Sequence, residues 1–161
     1  SSTSRGLGDV YKRQATDWPH ETKALLADAA EDAIRIAVCG AHMSGLPLNH
    51  KLTERGASFV RTDASTPDYK LYALPGAGVA RPGMVRTEQG KGAAIALEIW
   101  DMPLPTFGSF MKTIMAPLGI GTLTLADGST AQGFLCEAIA ATDAEDITDL
   151  ADWREYLAKK T

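Results

Sequence analysis

The chain has 161 residues, 45% of them apolar and 22% charged, which is enough to bury one hydrophobic core and close to the composition of ordinary globular domains. Its formal net charge is −4, with Lys and Arg scattered along the chain, so no phosphate-tracking stripe is present and nucleic acid is not an expected partner. The apolar runs are strand-sized and interrupted by Gly, Pro or charge, so membrane insertion is not expected either.

In chain order, Ser1 to Gln14 is polar, lacks periodicity and resembles translated adapter sequence, so it is set aside as a non-native tail. Residues 15–33 read as a leader, in which Ala24, Leu25, Ala29 and Ala30 recur at helical spacing between Pro19 and Asp32. The domain proper is expected over 34–161. It opens with a short, β-branched run from Ile34 to Cys39 that stops at Gly40, the pattern of a buried strand feeding a loop. Further strands are predicted at Ser58–Arg61, Tyr69–Leu74, Met84–Thr87, Ala93–Trp100, Gly121–Leu125 and Gln132–Ile139. Between them, Pro75-Gly76, Pro82-Gly83, Gln89-Gly90 and Asp127-Gly128 supply turn chemistry. A closing helix is expected to run through Trp153, Tyr156 and Leu157, capped by Asp149. The fold class is α+β, with a small mixed β-barrel and flanking helices as the expected form.

The loop from Gly40 to Asn49 carries the best candidate chemistry. Its glycines allow backbone amides to turn toward an anion, which makes Gly40, Ala41, Met43, Ser44, Gly45, Leu46 and Asn49 candidate substrate-binding residues. His42 is the candidate catalytic residue, because imidazole exchanges protons near neutral pH. Spacing alone favours the alternative, a histidine that only hydrogen-bonds across its loop. A second tract, Pro117, Leu118, Gly119, Ile120 and Gly121, reads as a glycine-containing turn that brings more amides to the same cavity, or as a simple tight turn.

Cys39 and Cys136 continue apolar segments and read as core thiols, although Cys39 beside His42 also admits a nucleophile. Two such cysteines suit a reducing compartment, so the cytoplasm is the expected location. Three histidines and two cysteines show no paired ligand spacing, so neither a metal nor a cofactor is expected. Glu137 admits two readings, a buried carboxylate poised for proton transfer or a strand-end residue facing water.

Four motifs in order, Gly40-Ala-His-Met-Ser-Gly-Leu-Pro-Leu-Asn49, Leu71-Tyr-Ala-Leu-Pro-Gly76, Pro117-Leu-Gly-Ile-Gly-Thr122 and Gly133-Phe-Leu-Cys-Glu137, resemble the carboxy-terminal domain of allophanate hydrolase. The resemblance continues through Glu98-Ile-Trp100 to Trp153-Arg-Glu-Tyr-Leu157, with Ala151-Asp152 where that family usually has glycine. It implies a gamma-glutamylcyclotransferase-like fold in which the loop after the first strand lines the cavity. It also implies breakdown of N-carboxycarbamate, a small anion produced by an amidase domain or subunit, with the implicated histidine falling on His42. Two alternatives stand beside this reading, a noncatalytic module supporting an amidase and a gamma-glutamylcyclotransferase-like enzyme. An oligomer is compatible with all three. Against the cyclotransferase stands the absence of any acidic residue between Asp101 and Asp127, where such enzymes place a glutamate.

Overall fold

The computed structural model describes residues 32–161. The tail over 1–14 and nearly all of the leader over 15–33 therefore lie outside the described residues. Eight strands and four short helices follow one another: β1 (Ala33–Val38), α1 (His50–Thr53), β2 (Ser58–Ala64), β3 (Tyr69–Ala73), β4 (Pro82–Arg86), β5 (Ala96–Pro103), α2 (Leu104–Met111), β6 (Leu118–Thr124), β7 (Thr130–Cys136), α3 (Ala138–Ala141), β8 (Glu145–Asp146) and α4 (Trp153–Lys160). No helix among them is long and apolar enough to cross a membrane.

Two sheets result, one of five strands in the order β2-β5-β1-β7-β6 and one of three in the order β4-β3-β8. β1 lies at the centre of the larger sheet, antiparallel to β5 (Ile36 opposite Trp100) and parallel to β7 (Ile36 opposite Gln132). A central strand is covered on both faces, which is why Ile36, Ala37, Val38 and Cys39 form an unbroken apolar run, all of them buried. β5 is covered in the same way through Leu97, Ile99 and Met102, and it shields Glu98 as well. At its solvent end the β1–β5 pair is tied by a fork between Arg35 and Asp101, with Nε donating to Oδ1 at 3.0 Å and Nη2 to Oδ2 at 3.2 Å.

The architecture is α+β, as composition and turn spacing predict, but the expected closed barrel does not form. The edge strands β2 and β6 approach each other only at one end, through the isolated bridge Ser65–Leu125 with Thr66 N donating to Thr124 O at 3.0 Å. One bridge leaves the rest of both edges outside any shared ladder, so the sheet curls without closing.

Several boundaries move for identifiable reasons. β4 begins at Pro82, which pairs with Ala73, so the Pro82-Gly83 pair opens a strand instead of making a turn. Proline is tolerated at the first residue of a strand. The expected strand end at Ile139 is instead the helical turn α3, with Ile139 exposed. α2 occupies a tract in which Pro105 and Gly108 read as helix breakers. Pro105 falls in the first helical turn, where its missing N–H costs nothing, and Phe110 anchors the far end in the core. α4 is capped by Asp152 and not by Asp149, with Oδ1 accepting from Arg154 N at 2.8 Å. Trp153 and Tyr156 stack on its buried face as the spacing predicts.

Candidate functional site

The segment after β1 folds back on itself within ten residues. Met43 N donates to Gly40 O at 3.0 Å and Leu48 N to Ala41 O at 2.9 Å, while the Asn49 side-chain amide donates to the carbonyl of His42 at 2.9 Å. The bond across the loop thus uses the backbone of His42 and leaves its ring free. Gly40 is required by a close approach, because a Cβ there would lie 2.5 Å from Pro82 Cδ. Gly45 meets a different demand, a left-handed φ of 78° at the exposed tip.

These bonds divide the candidate amides into two groups. Those of Met43, Leu46, Leu48 and Asn49 are used inside the loop, and that of Ser44 donates to Glu98 Oε1 at 2.8 Å. Those of Gly40, Ala41 and His42 find no acceptor among the described residues. The same three residues line a cavity of about 60 Å³ together with Lys51, Arg81, Pro82, Phe134 and the segment Thr113 to Met115. That volume suits a ligand of only a few heavy atoms.

His42 sits between aromatic rings, stacked on Phe134 at 4.8 Å and 21° and edge-on to Phe110 at 5.5 Å. Its Nε2 is buried and has no hydrogen-bond partner among the described residues. Burial disfavours the imidazolium, and the charges of Lys51 and His50 act in the same direction, so the pKa falls from 6.5 to about 4. At neutral pH the resting ring is therefore uncharged. Lys51 from α1 and Arg81 just before β4 bring two cations to the same cavity, and neither forms an ion pair among the described residues.

The remaining predicted residues separate. Met43 belongs to the core at 3% exposure, Ser44 is exposed but turns its hydroxyl to Glu98, Gly45 is exposed, Leu46 packs against the core, and Asn49 braces His42. The tract Pro117 to Gly121 does not join the His42 cavity as a loop. From Leu118 onward it is β6, pairing Leu118 with Cys136, Gly119 with Leu135, Ile120 with Phe134 and Gly121 with Gly133. Gly121 lies inside the ladder with no positive φ, and a Cβ there would lie 2.7 Å from the mobile end of Leu135 at Cδ1. Leu118 alone of this tract reaches the cavity, and Pro117, Gly119, Ile120 and Gly121 line a separate open depression with Glu137.

Cys39 is buried and its thiol is pushed up to about 12, chiefly by burial, so it stays protonated and is no nucleophile. Cys136 is half-buried with its thiol also raised by burial, and Glu137 is an exposed residue at the start of α3. Among the described residues no cluster of His, Cys, Asp and Glu could hold a metal ion. Arg81 is a cavity residue that the sequence analysis does not single out. Its one local signal is its place directly before Pro82-Gly83, and what brings it to His42 is the Gly40–Pro82 approach across 42 residues.

The family model described as the allophanate hydrolase C-terminal domain matches residues 34–158. The urea amidolyase of Lachancea kluyveri is 35% identical over 157 residues, covering 96% of this chain and 8% of the relative, so the chain spans a small part of that protein's length. Among solved structures, the Kluyveromyces lactis allophanate hydrolase superposes with a TM-score of 0.78 at 35% identity, over 82% of this chain and 22% of that one. A uropathogenic E. coli-specific protein superposes with a TM-score of 0.72 at 36% identity, over 78% of this chain and 96% of that one.

Proposed function

The chain belongs to the allophanate hydrolase C-terminal domain family, and from that premise we propose that it breaks down N-carboxycarbamate, the second step of allophanate degradation. The reaction consumes one proton: ⁻O₂C–NH–CO₂⁻ + H⁺ gives H₂N–CO₂⁻ and CO₂. The C–N bond to one carboxylate breaks, its electron pair goes to nitrogen, and nitrogen takes the proton. The site must therefore hold a small dianion and deliver a proton to its centre.

The observation that carries this reading is the buried, unpartnered Nε2 of His42 in a cavity that also holds Lys51 and Arg81. The two cations would take the two carboxylates, and the amides of Gly40, Ala41 and His42 would supply further donors. The neutral resting imidazole is not itself the acid. An anion placed beside it raises its pKa, so the ring gains a proton as the substrate binds and can pass that proton to nitrogen. The substrate would be supplied by an amidase, either an attached domain or a separate subunit. The finer description of the fold as gamma-glutamylcyclotransferase-like, the domain limits 34–161 and a cytoplasmic location belong to this same reading.

The test combines allophanate with an active amidase domain and follows carbon dioxide release with and without this protein. Faster release that is lost in His42→Asn supports the assignment. Release equal to that of the amidase alone rejects it in favour of a noncatalytic module.

A further inference from the structure

One carboxylate is buried beside the loop and takes no part in the cavity. Glu98 is 5% exposed, lies on β5 opposite Val38, the last residue of β1, and so sits beside the start of the His42 loop. Four donors converge on it. Ser44 N, Ser44 Oγ and Trp100 Nε1 donate to Oε1 at 2.8, 3.1 and 3.2 Å, and Arg154 Nη2 donates to Oε2 at 2.7 Å. The same Arg154 nitrogen also donates to the carbonyl of Ser44 at 2.9 Å. Ser44 is thus held through its amide, its hydroxyl and its carbonyl at once, two residues beyond His42.

Arg154 is itself fixed by what precedes it. Its amide caps on Asp152, and Ala96 N donates to Ala151 O at 2.8 Å, which ties the start of α4 to β5 two residues from Glu98. Fold stability alone does not explain this arrangement. Burying a carboxylate carries a large desolvation cost, and apolar side chains of similar size commonly stabilise such a position as well or better. What a fully bonded carboxylate supplies is one defined loop conformation.

We propose that Glu98 and Arg154 form a positioning device, through which the C-terminal helix holds the Gly40–His42 segment in its ligand-binding arrangement. Neither residue touches the ligand; both act through Ser44. The proposal rests on the His42 cavity being the binding site. A loop that keeps the competent arrangement for only a tenth of the time raises the apparent Kd about tenfold.

Malonate, in which CH₂ replaces the NH of N-carboxycarbamate, is the probe. Its binding to the whole protein is followed through the ring signals of His42 by NMR, well below the melting transition. There, a merely global loss of stability leaves the folded population and the affinity unchanged. Arg154→Ala is expected to weaken malonate binding about tenfold, with Arg154→Lys, which keeps the charge and one donor, recovering part of it. Arg154→Ala that binds malonate as tightly as the unaltered protein overturns the proposal. If Arg154→Ala does not fold, Ser44→Ala decides at an exposed position: weaker binding supports the device and unchanged binding refutes it. A parent protein whose His42 signals do not respond to malonate shows a different failure, that of the cavity assignment itself.

Discussion

The neutral state of His42 has a thermodynamic consequence that can be measured without any substrate. Its pKa is about 4 in the folded chain against 6.5 for a free imidazole. Because the folded pKa is the lower one, the unfolded chain binds more protons between these two values. The contribution is therefore fully present above about pH 6.5 and is lost as pH falls toward 4. The full difference corresponds to about 3 kcal/mol, and solvent on the open side of the partly buried ring trims this to about 2–3 kcal/mol. Replacing His42 by Gln removes the titrating group, together with a ring stack worth about 1 kcal/mol at every pH. Urea unfolding of both proteins at pH 7.5, 6, 5 and 4 separates the two effects. Carboxylates elsewhere contribute equally to both, so the parent's lead of about 1 kcal/mol at pH 7.5 should fall by about 2–3 kcal/mol across the series and change sign, leaving the variant the more stable at pH 4. At roughly 3–5 °C per kcal/mol for a domain of this size, the parent's melting temperature falls by about 10 °C relative to the variant's, so the two profiles cross. Parallel profiles, or a ring that titrates near 6.5 by NMR, would refute the reasoning.

Gly40→Ala places a methyl 2.5 Å from Pro82 Cδ and 2.7 Å from its Cγ, so it should cost about 1–3 kcal/mol in urea unfolding and distort the cavity wall; unchanged stability would show that β4 gives way freely. Ala151 is the one non-glycine residue with a left-handed backbone among the described residues, at φ 55°, and Ala151→Gly should raise stability by up to about 1 kcal/mol, since relief of about 1–2 kcal/mol outweighs the greater chain freedom of glycine. A lower melting temperature in that variant would contradict the claim of strain. No 5-oxoproline should form from gamma-glutamyl dipeptides: α2 and the loop after it contain no carboxylate, and the hydroxyls of Thr106 and Ser109 donate to carbonyls at 2.8 Å. Product above the uncatalysed background, measured by chromatography, would reverse that conclusion.

What could be read from the sequence was local. β1, β3 and the buried face of α4 follow from apolar runs and spacing that the core then uses directly, as with Ile36, Tyr69 and Trp153. Glycine was the main source of error. In β6 it looked like turn chemistry, yet Gly121 lies in the ladder against Leu135, and Gly133 leaves room for Leu123. A glycine that lies flat in a ladder against a neighbouring side chain looks the same in sequence as one chosen for a positive φ. The short α1, α2 and α3 lack the two full turns from which periodicity can be read, or carry a breaker that their position renders harmless. At the site, Gly40 to His42 was legible because strand, glycine and imidazole are consecutive. Arg81 and the Glu98–Arg154 pair were not, since each meets the loop across dozens of residues.

The charge balance of the cavity also bears on which anion it could use. The chain carries −4 overall, a weak repulsion toward an anion, but at physiological salt such fields fade over about 8 Å and the nearby Lys51 and Arg81 dominate inside the cavity. Charging His42 at pH 7 against a pKa of about 4 costs roughly 4 kcal/mol. One negative charge about 4 Å from the ring returns about 4 kcal/mol at the screening typical of a partly buried site. A monoanion therefore only offsets the cost and leaves the ring divided between its two forms. A dianion whose second carboxylate also lies near the ring exceeds the cost, and the imidazole then holds its proton while the ligand is bound. If the proposed reaction holds, the burial that keeps the resting His42 ring uncharged would favour a doubly charged ligand over a singly charged one, and would confine proton delivery to the complex that needs it.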